Sequence, residues 1–89
     1  MTEAQVTLTN QLGLHARPSA KVSQLASSFK SEVWMSRGSR KINAKSIMGV
    51  MMLAAPFGSI LSVSAEGPDE VEAVRALVDL FASGFGEHV

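Results

Sequence analysis

The period of apolar and polar positions changes several times along this chain, and each change marks an element. Over residues 5–9, Val6 and Leu8 alternate with polar neighbours, the two-residue period of a strand. Over 18–29, Val22, Leu25, Ala26 and Phe29 recur at i, i+3, i+4 and i+7, one face of a helix. Residues 32–37 return to alternation, with Val33 and Met35 on one side and Trp34 on the other. Gly38 and Ser39 form a two-residue hairpin turn into a strand over 40–44. Ser46 is a good N-cap for a short helix over 47–53, and Pro56 and Gly58 break the chain after it. Residues 60–65 alternate again. Gly67, Pro68, Asp69 and Glu70 then open a helix, both acids falling in its first turn. Val71, Val74, Leu77, Val78 and Phe81 make its apolar stripe, Gly84 ends it, and Phe85 is placed to fold back on Leu80.

The order is therefore β-α-β-β-α-β-α. Strands that are apolar on one face only suit an antiparallel sheet with one side in water. The apolar stripes of the helices cover the other side, giving an α+β fold.

Composition narrows the class. The 89 residues are 46% hydrophobic and 18% charged, values of an ordered globular chain, and the length predicts one domain over 1–89. With no cysteine, disulfides and thiolate metal sites are excluded. The first residues lack the basic-then-apolar pattern of a secretory signal, and the longest apolar run, 50–57, is too short to span a bilayer. The reading is a cytoplasmic protein with no membrane segment.

Net charge is zero, yet the charges are segregated. Seven of the eight basic residues lie between Arg17 and Lys45, with Glu32 the only acid among them; from Glu66 onward there are six acids and one base, Arg75. A positive region of this kind attracts an acidic protein surface. Nucleic acid is disfavoured, because the chain is neutral overall and its aromatics are not interleaved with the basic residues. A small-molecule pocket would need convergent polar groups, and the sequence displays none.

The chemistry concentrates in Gly13-Leu14-His15-Ala16-Arg17-Pro18. Proline favours the first turn of a helix, where its missing N–H costs nothing. The first-turn N–H groups have no intrahelical partner and the helix dipole adds positive charge, so the backbone of Ala16 and Arg17 is an anion site. Arg17 adds a permanent fork-shaped cation matched to phosphate oxygens. This positive surrounding favours neutral, nucleophilic imidazole at His15 before loading and stabilises an anionic group after it. A histidine at a helix start also reads as a loop residue whose ring caps a backbone group, and these six residues alone do not separate the two. His88, beside Glu87, reads as a tail residue; a metal pair with His15 lacks further ligands, and no metal or cofactor is expected. Met48, Met51 and Met52 read either as filler under the short helix or as an adaptable exposed contact surface.

Taken together, the chain resembles the HPr family, the histidine phosphocarriers of the bacterial phosphotransferase system. Two segments carry the likeness: Leu12-Gly13-Leu14-His15-Ala16-Arg17-Pro18, and Asn43-Ala44-Lys45-Ser46-Ile47-Met48-Gly49-Val50-Met51. The stretch Ser64-Ala65-Glu66-Gly67-Pro68-Asp69-Glu70 and the final helix agree with it, so the likeness spans essentially the whole chain. It implies an open-faced β-sandwich: a four-stranded antiparallel sheet of order 1-4-2-3 with three helices on one face. It implies a carrier rather than an enzyme, in which His15 takes a phosphoryl group on Nδ1 from enzyme I and passes it to a histidine of an EIIA domain. Arg17 matches the family's active-site arginine, and Ser46 the serine phosphorylated by an HPr kinase/phosphorylase. The partner surface implied is formed by the first two helices, here Ala20, Lys21, Gln24, Ser27, Lys45, Ile47, Met48 and Met51. The carrier is expected to be a monomer. Ser19 stands where alanine is common in the family. The Met52-Leu53-Ala54-Ala55-Pro56-Phe57 segment departs from the family's small, glycine-rich loop and looks closer to proteobacterial versions, including the nitrogen-branch paralogue NPr. A regulatory docking module on the same fold is the competing reading, as in family members that lack the histidine.

Overall fold

The computed structural model describes residues 1–86, and His88 lies outside them. The element order is β1 (Thr2–Thr7), α1 (Ala16–Ser27), β2 (Glu32–Arg37), β3 (Arg40–Asn43), α2 (Ile47–Met51), β4 (Ile60–Glu66) and α3 (Glu70–Ala82), followed by a turn at Gly84–Gly86. The strands form one antiparallel sheet of order β1-β4-β2-β3, as the resemblance implies. Both crossovers are made by helices, so all three helices collect on one face and the opposite face is open.

Register explains the burial. Ala4 pairs with Val63 and Val6 with Leu61 across β1 and β4; Val33 pairs with Ala65 and Met35 with Val63 across β2 and β4. These residues share the covered face, where Leu61, Val63, Ala65, Val33 and Met35 are almost fully enclosed. Their alternates, Gln5, Ser62, Ser64, Trp34 and Ser36, lie on the open face. There the Lys41 ammonium sits 4.9 Å from the Trp34 ring centre.

The helices match their sequence stripes with two corrections. In α3 the buried positions are Ala73, Val74, Leu77 and Phe81, whereas Val71 is 61% exposed. Val71 lies at the rim of the stripe in the first turn, and Ala73 takes its place on the sheet. In α1 the helix begins at Ala16, two residues before Pro18. None of the first four N–H groups of a helix has an intrahelical partner, so proline fits the third position as well as the first.

Strand ends also differ. β1 starts at Thr2 and ends at Thr7, earlier than the alternation predicts. Leu8 is fully buried beyond the strand; its N–H donates to the Ser59 carbonyl and its carbonyl accepts from the Gly58 N–H, both at 2.9 Å. Phe85 folds back as expected, but its recorded ring partner is Phe81, at 4.9 Å between centroids and 69° between planes. The fold thus runs from β1 through Leu8 into the 10–15 loop, and that loop carries the histidine.

Candidate functional site

Residues 10–15 form a tightly bonded loop. The Gly13 N–H donates to the Asn10 carbonyl at 3.2 Å, and the Gly13 carbonyl accepts from Asn10 Nδ2 at 2.7 Å and from the His15 N–H at 2.9 Å. The Leu14 N–H donates to the Ala55 carbonyl at 3.0 Å, joining this loop to the one after α2. Gly13 has φ +75, and a Cβ there would lie 2.7 Å from the Ala55 oxygen. Only glycine meets both the left-handed backbone and the close approach.

His15 is the N-cap residue of α1, in extended backbone (φ −82, ψ −170), and its side chain makes no capping bond to that helix. Its carbonyl accepts the first intrahelical bond, from the Ser19 N–H at 3.1 Å. Ala16, Arg17 and Pro18 make the first turn, so the N–H groups of Ala16 and Arg17 have no i−4 carbonyl to bond. Arg17 is exposed and His15 half-buried. The imidazole, the two backbone donors and the guanidinium therefore come from three consecutive residues at one helix start. Ser19 is fully buried, and its hydroxyl donates to the Leu14 carbonyl at 3.4 Å. The substitution for alanine thus ties the first turn to the loop before it.

Ser46 is the N-cap of α2: its exposed Oγ accepts from the Gly49 N–H at 3.0 Å. α1 and α2 pack together, with Ser23 Oγ donating to the Lys45 carbonyl at 2.6 Å. Gln24 and Ser27 on α1, and Ile47, Met48 and Met51 on α2, are exposed; Ala20 is half-buried. Met48, at 70% exposure, and Met52 settle the methionine question: they are surface, while Val50 plugs the core.

The two lysines of this face are less free than the sequence implies. Lys21 Nζ donates to the Phe85 carbonyl at 2.5 Å, and Lys45 Nζ to the Phe29 carbonyl at 3.0 Å. Both are half-buried stems whose heads hold carbonyls just beyond the ends of α1 and α3. Charge segregation runs along the strands. Glu32 pairs with Glu66 at one end of the sheet, near Asp69 and Glu70, while Arg37 and Arg40 occupy the opposite end, toward the His15 loop.

Three residues that the sequence reading names without placing lie on the surface beside the loops: Leu12 and Phe57, at 66% and 60% exposure, and Pro56, whose Cα approaches Gly13. Only the Pro56–Gly58 interruption hinted at this loop, and nothing in the pattern said that it folds against Gly13. Among the described residues, no group of three His, Cys, Asp or Glu side chains is placed to hold a metal ion, and no helix is long and apolar enough to cross a membrane.

Residues 2–83 match the family model described as the PTS HPr component phosphorylation site. The chain belongs to the HPr family. The phosphocarrier protein HPr of Cupriavidus necator is 56% identical over 87 residues, covering 98% of each chain. A crystal structure of HPr from Thermoanaerobacter tengcongensis superposes with TM-score 0.95 at 49% identity, covering all of both chains. A crystal structure described as an HPr dimer from the same organism superposes with TM-score 0.78 at 50% identity, over 98% of this chain and 100% of the other. As an HPr-family member the chain is a phosphocarrier of the phosphotransferase system.

Proposed function

We propose that His15 is the phosphoryl acceptor, loaded by enzyme I and emptied by an EIIA domain. The observation that carries the reading is the position of His15 as the N-cap residue of α1, directly before the first-turn N–H groups of Ala16 and Arg17. His15 Nδ1 attacks the phosphorus of the donor phosphohistidine; the new P–N bond forms as the donor's P–N bond breaks. The phosphoryl oxygens then receive the Ala16 and Arg17 N–H groups and the Arg17 guanidinium. Transfer to EIIA reverses the same exchange. Such a transfer asks mainly for in-line positioning and charge stabilisation, which a loop-to-helix junction supplies.

Ala20, Lys21, Gln24, Ser27, Lys45, Ile47, Met48 and Met51 form the docking surface for both partners, an apolar patch with cationic margins. This composition supports fast, salt-sensitive association and ready release. Phosphorylation of Ser46 by an HPr kinase/phosphorylase adds about two negative charges to that surface and repels an acidic enzyme I. The protein acts as one domain over 1–89, as a monomer in the cytoplasm, and is a stoichiometric carrier rather than an enzyme. The purely regulatory docking module is disfavoured because His15 and Arg17 are both present.

The test is intact-mass measurement of acid-labile phosphate after incubation with phosphoenolpyruvate and the sugar-branch or the nitrogen-branch enzyme I. Incorporation from one of them, abolished by His15→Ala and slowed at high ionic strength, is expected. No incorporation from either sinks the carrier assignment, and full labelling of His15→Ala moves the acceptor elsewhere.

A further inference from the structure

Arg37 and Arg40 are directly opposite each other across the β2–β3 hairpin, separated by Gly38 and Ser39. Like charges in opposed cross-strand positions, with Cβ atoms roughly 5 Å apart, destabilise a hairpin. Neither guanidinium has an acidic partner among the described residues. Both instead turn toward the segment after α2. Arg37 Nη1 donates to the Leu53 and Ala54 carbonyls at 3.2 Å each, and Arg40 Nη1 to the Met52 carbonyl at 2.6 Å. Carbonyls orient the forks but carry no net charge, so two positive charges remain. Each guanidinium has about five N–H donors, and only Nη1 of each is engaged by the described residues.

These groups line an open cavity of about 570 Å³ bounded by Arg37, Gly38, Ser39, Arg40, Leu53 and Ala54. That size lies within the roughly 300–1,000 Å³ of small-ligand pockets. No acidic side chain lines it, the Ser39 hydroxyl is an added hydrogen-bonding group, and Leu53 and Ala54 give it an apolar wall. The Ala54 backbone is held at φ +50 beneath the Arg37 fork, so the wall is pinned by the residue that faces the ligand.

We propose that this cavity binds a small phosphomonoester, its dianion seated between the Arg37 and Arg40 guanidiniums. A dianion neutralises the pair without remainder, and the guanidinium fork matches phosphate oxygens in geometry as well as charge. None of His15, Ala16 and Arg17 lines it, so its residues are a different set from those of the proposed phosphoryl site.

The test is a ¹⁵N NMR titration of the full chain at constant ionic strength with three probes: inorganic phosphate, a hexose 6-phosphate and the same hexose without phosphate. Saturable shifts of the Gly38 and Ser39 amides and of the Arg37 and Arg40 Nε–Hε signals are expected with the hexose 6-phosphate and, more weakly, with inorganic phosphate. None is expected with the free hexose. The double variant R37Q/R40Q should lose the response. R37K/R40K keeps the charge and a donor for the carbonyls but not the fork; it should bind about tenfold more weakly and serves if the glutamine variant does not fold. Shifts confined to Ala16 and Arg17, an equal response to chloride at matched ionic strength, or undiminished affinity in R37K/R40K would each overturn the assignment.

Discussion

The Leu14 N–H bonds the Ala55 carbonyl at 3.0 Å, so the residue before His15 is fixed by the loop after α2. Gly13 makes that approach possible. Replacing it with alanine adds a Cβ about 2.7 Å from the same oxygen, in a backbone region that costs a non-glycine residue roughly 1–2 kcal/mol. Gly13→Ala should therefore lower the unfolding free energy by about 2 kcal/mol or more and slow phosphoryl acceptance by displacing His15. Urea unfolding and the rate of labelling by enzyme I measure the two effects. A variant normal in both would show that the contact does not position the site.

Ser46 lets capping be separated from charge. Its Oγ accepts from the Gly49 N–H, and a lost N-cap costs about 1 kcal/mol. Ser46→Ala should lose about that much stability while still accepting phosphoryl groups. Ser46→Asp retains a capping oxygen, so its stability should stay near that of the native chain, but the added negative charge should weaken docking to enzyme I. If Ser46→Asp accepts phosphate as fast as the native chain, charge at this position does not regulate the carrier.

Much of this architecture is legible in the chain. Period-two runs locate β1, β2 and β4 because the sheet is covered on one face only, apolar stripes locate α1 and α3, and turn and capping residues locate β3 and α2. The histidine site is local, built from His15, Ala16 and Arg17 in sequence, so its parts are adjacent before folding. What the chain hides is set by distant pairings. That Lys21 and Lys45 hold the Phe85 and Phe29 carbonyls depends on where other elements end. Leu12 and Phe57 look like core residues by type, and only the docking of the Gly13 and Ala55 loops leaves them outside. Arg37 and Arg40 read as hairpin charge until the 52–54 carbonyls arrive beneath them.

The acidic end of the sheet sets the response to low pH. Asp69 accepts from the Ser31 hydroxyl and from the Lys30 and Ser31 N–H groups, which hold its carboxyl at about 2, below its ordinary 3.8. Glu70 accepts from the Thr2 hydroxyl, the Gly67 N–H and the Met1 amine, and is also lowered. A carboxylate whose pKa falls on folding stabilises the native state above its unfolded value and loses that contribution as pH drops through the folded value. Stability should thus be constant above about pH 5 and fall between about pH 4 and 2. Asp69→Asn should flatten that fall in acid titrations followed by circular dichroism. An unchanged slope would mean that the α1–β2 loop does not depend on the Asp69 charge.

Phe85 links the far end of α3 to Lys21 on α1. Its ring packs edge-on against Phe81, it is 2% exposed, and its carbonyl receives Lys21 Nζ. Its φ of +61 is unfavourable for a bulky side chain, so ring burial must hold the turn in place. Phe85→Ala should cost about 3–5 kcal/mol, the usual range for removing a buried ring. Lys21→Met keeps the apolar stem and removes only the charged donor, for a loss of about 1 kcal/mol, reduced from the value for a fully buried bond because the lysine is half-exposed. Since the ring fixes the carbonyl that Lys21 bonds, the two losses should not add: the double variant should be less destabilised than the sum by more than about 0.5 kcal/mol in urea unfolding. Strict additivity would mean that the Lys21 bond survives without the ring, and that the end of α3 does not help to shape the α1 surface.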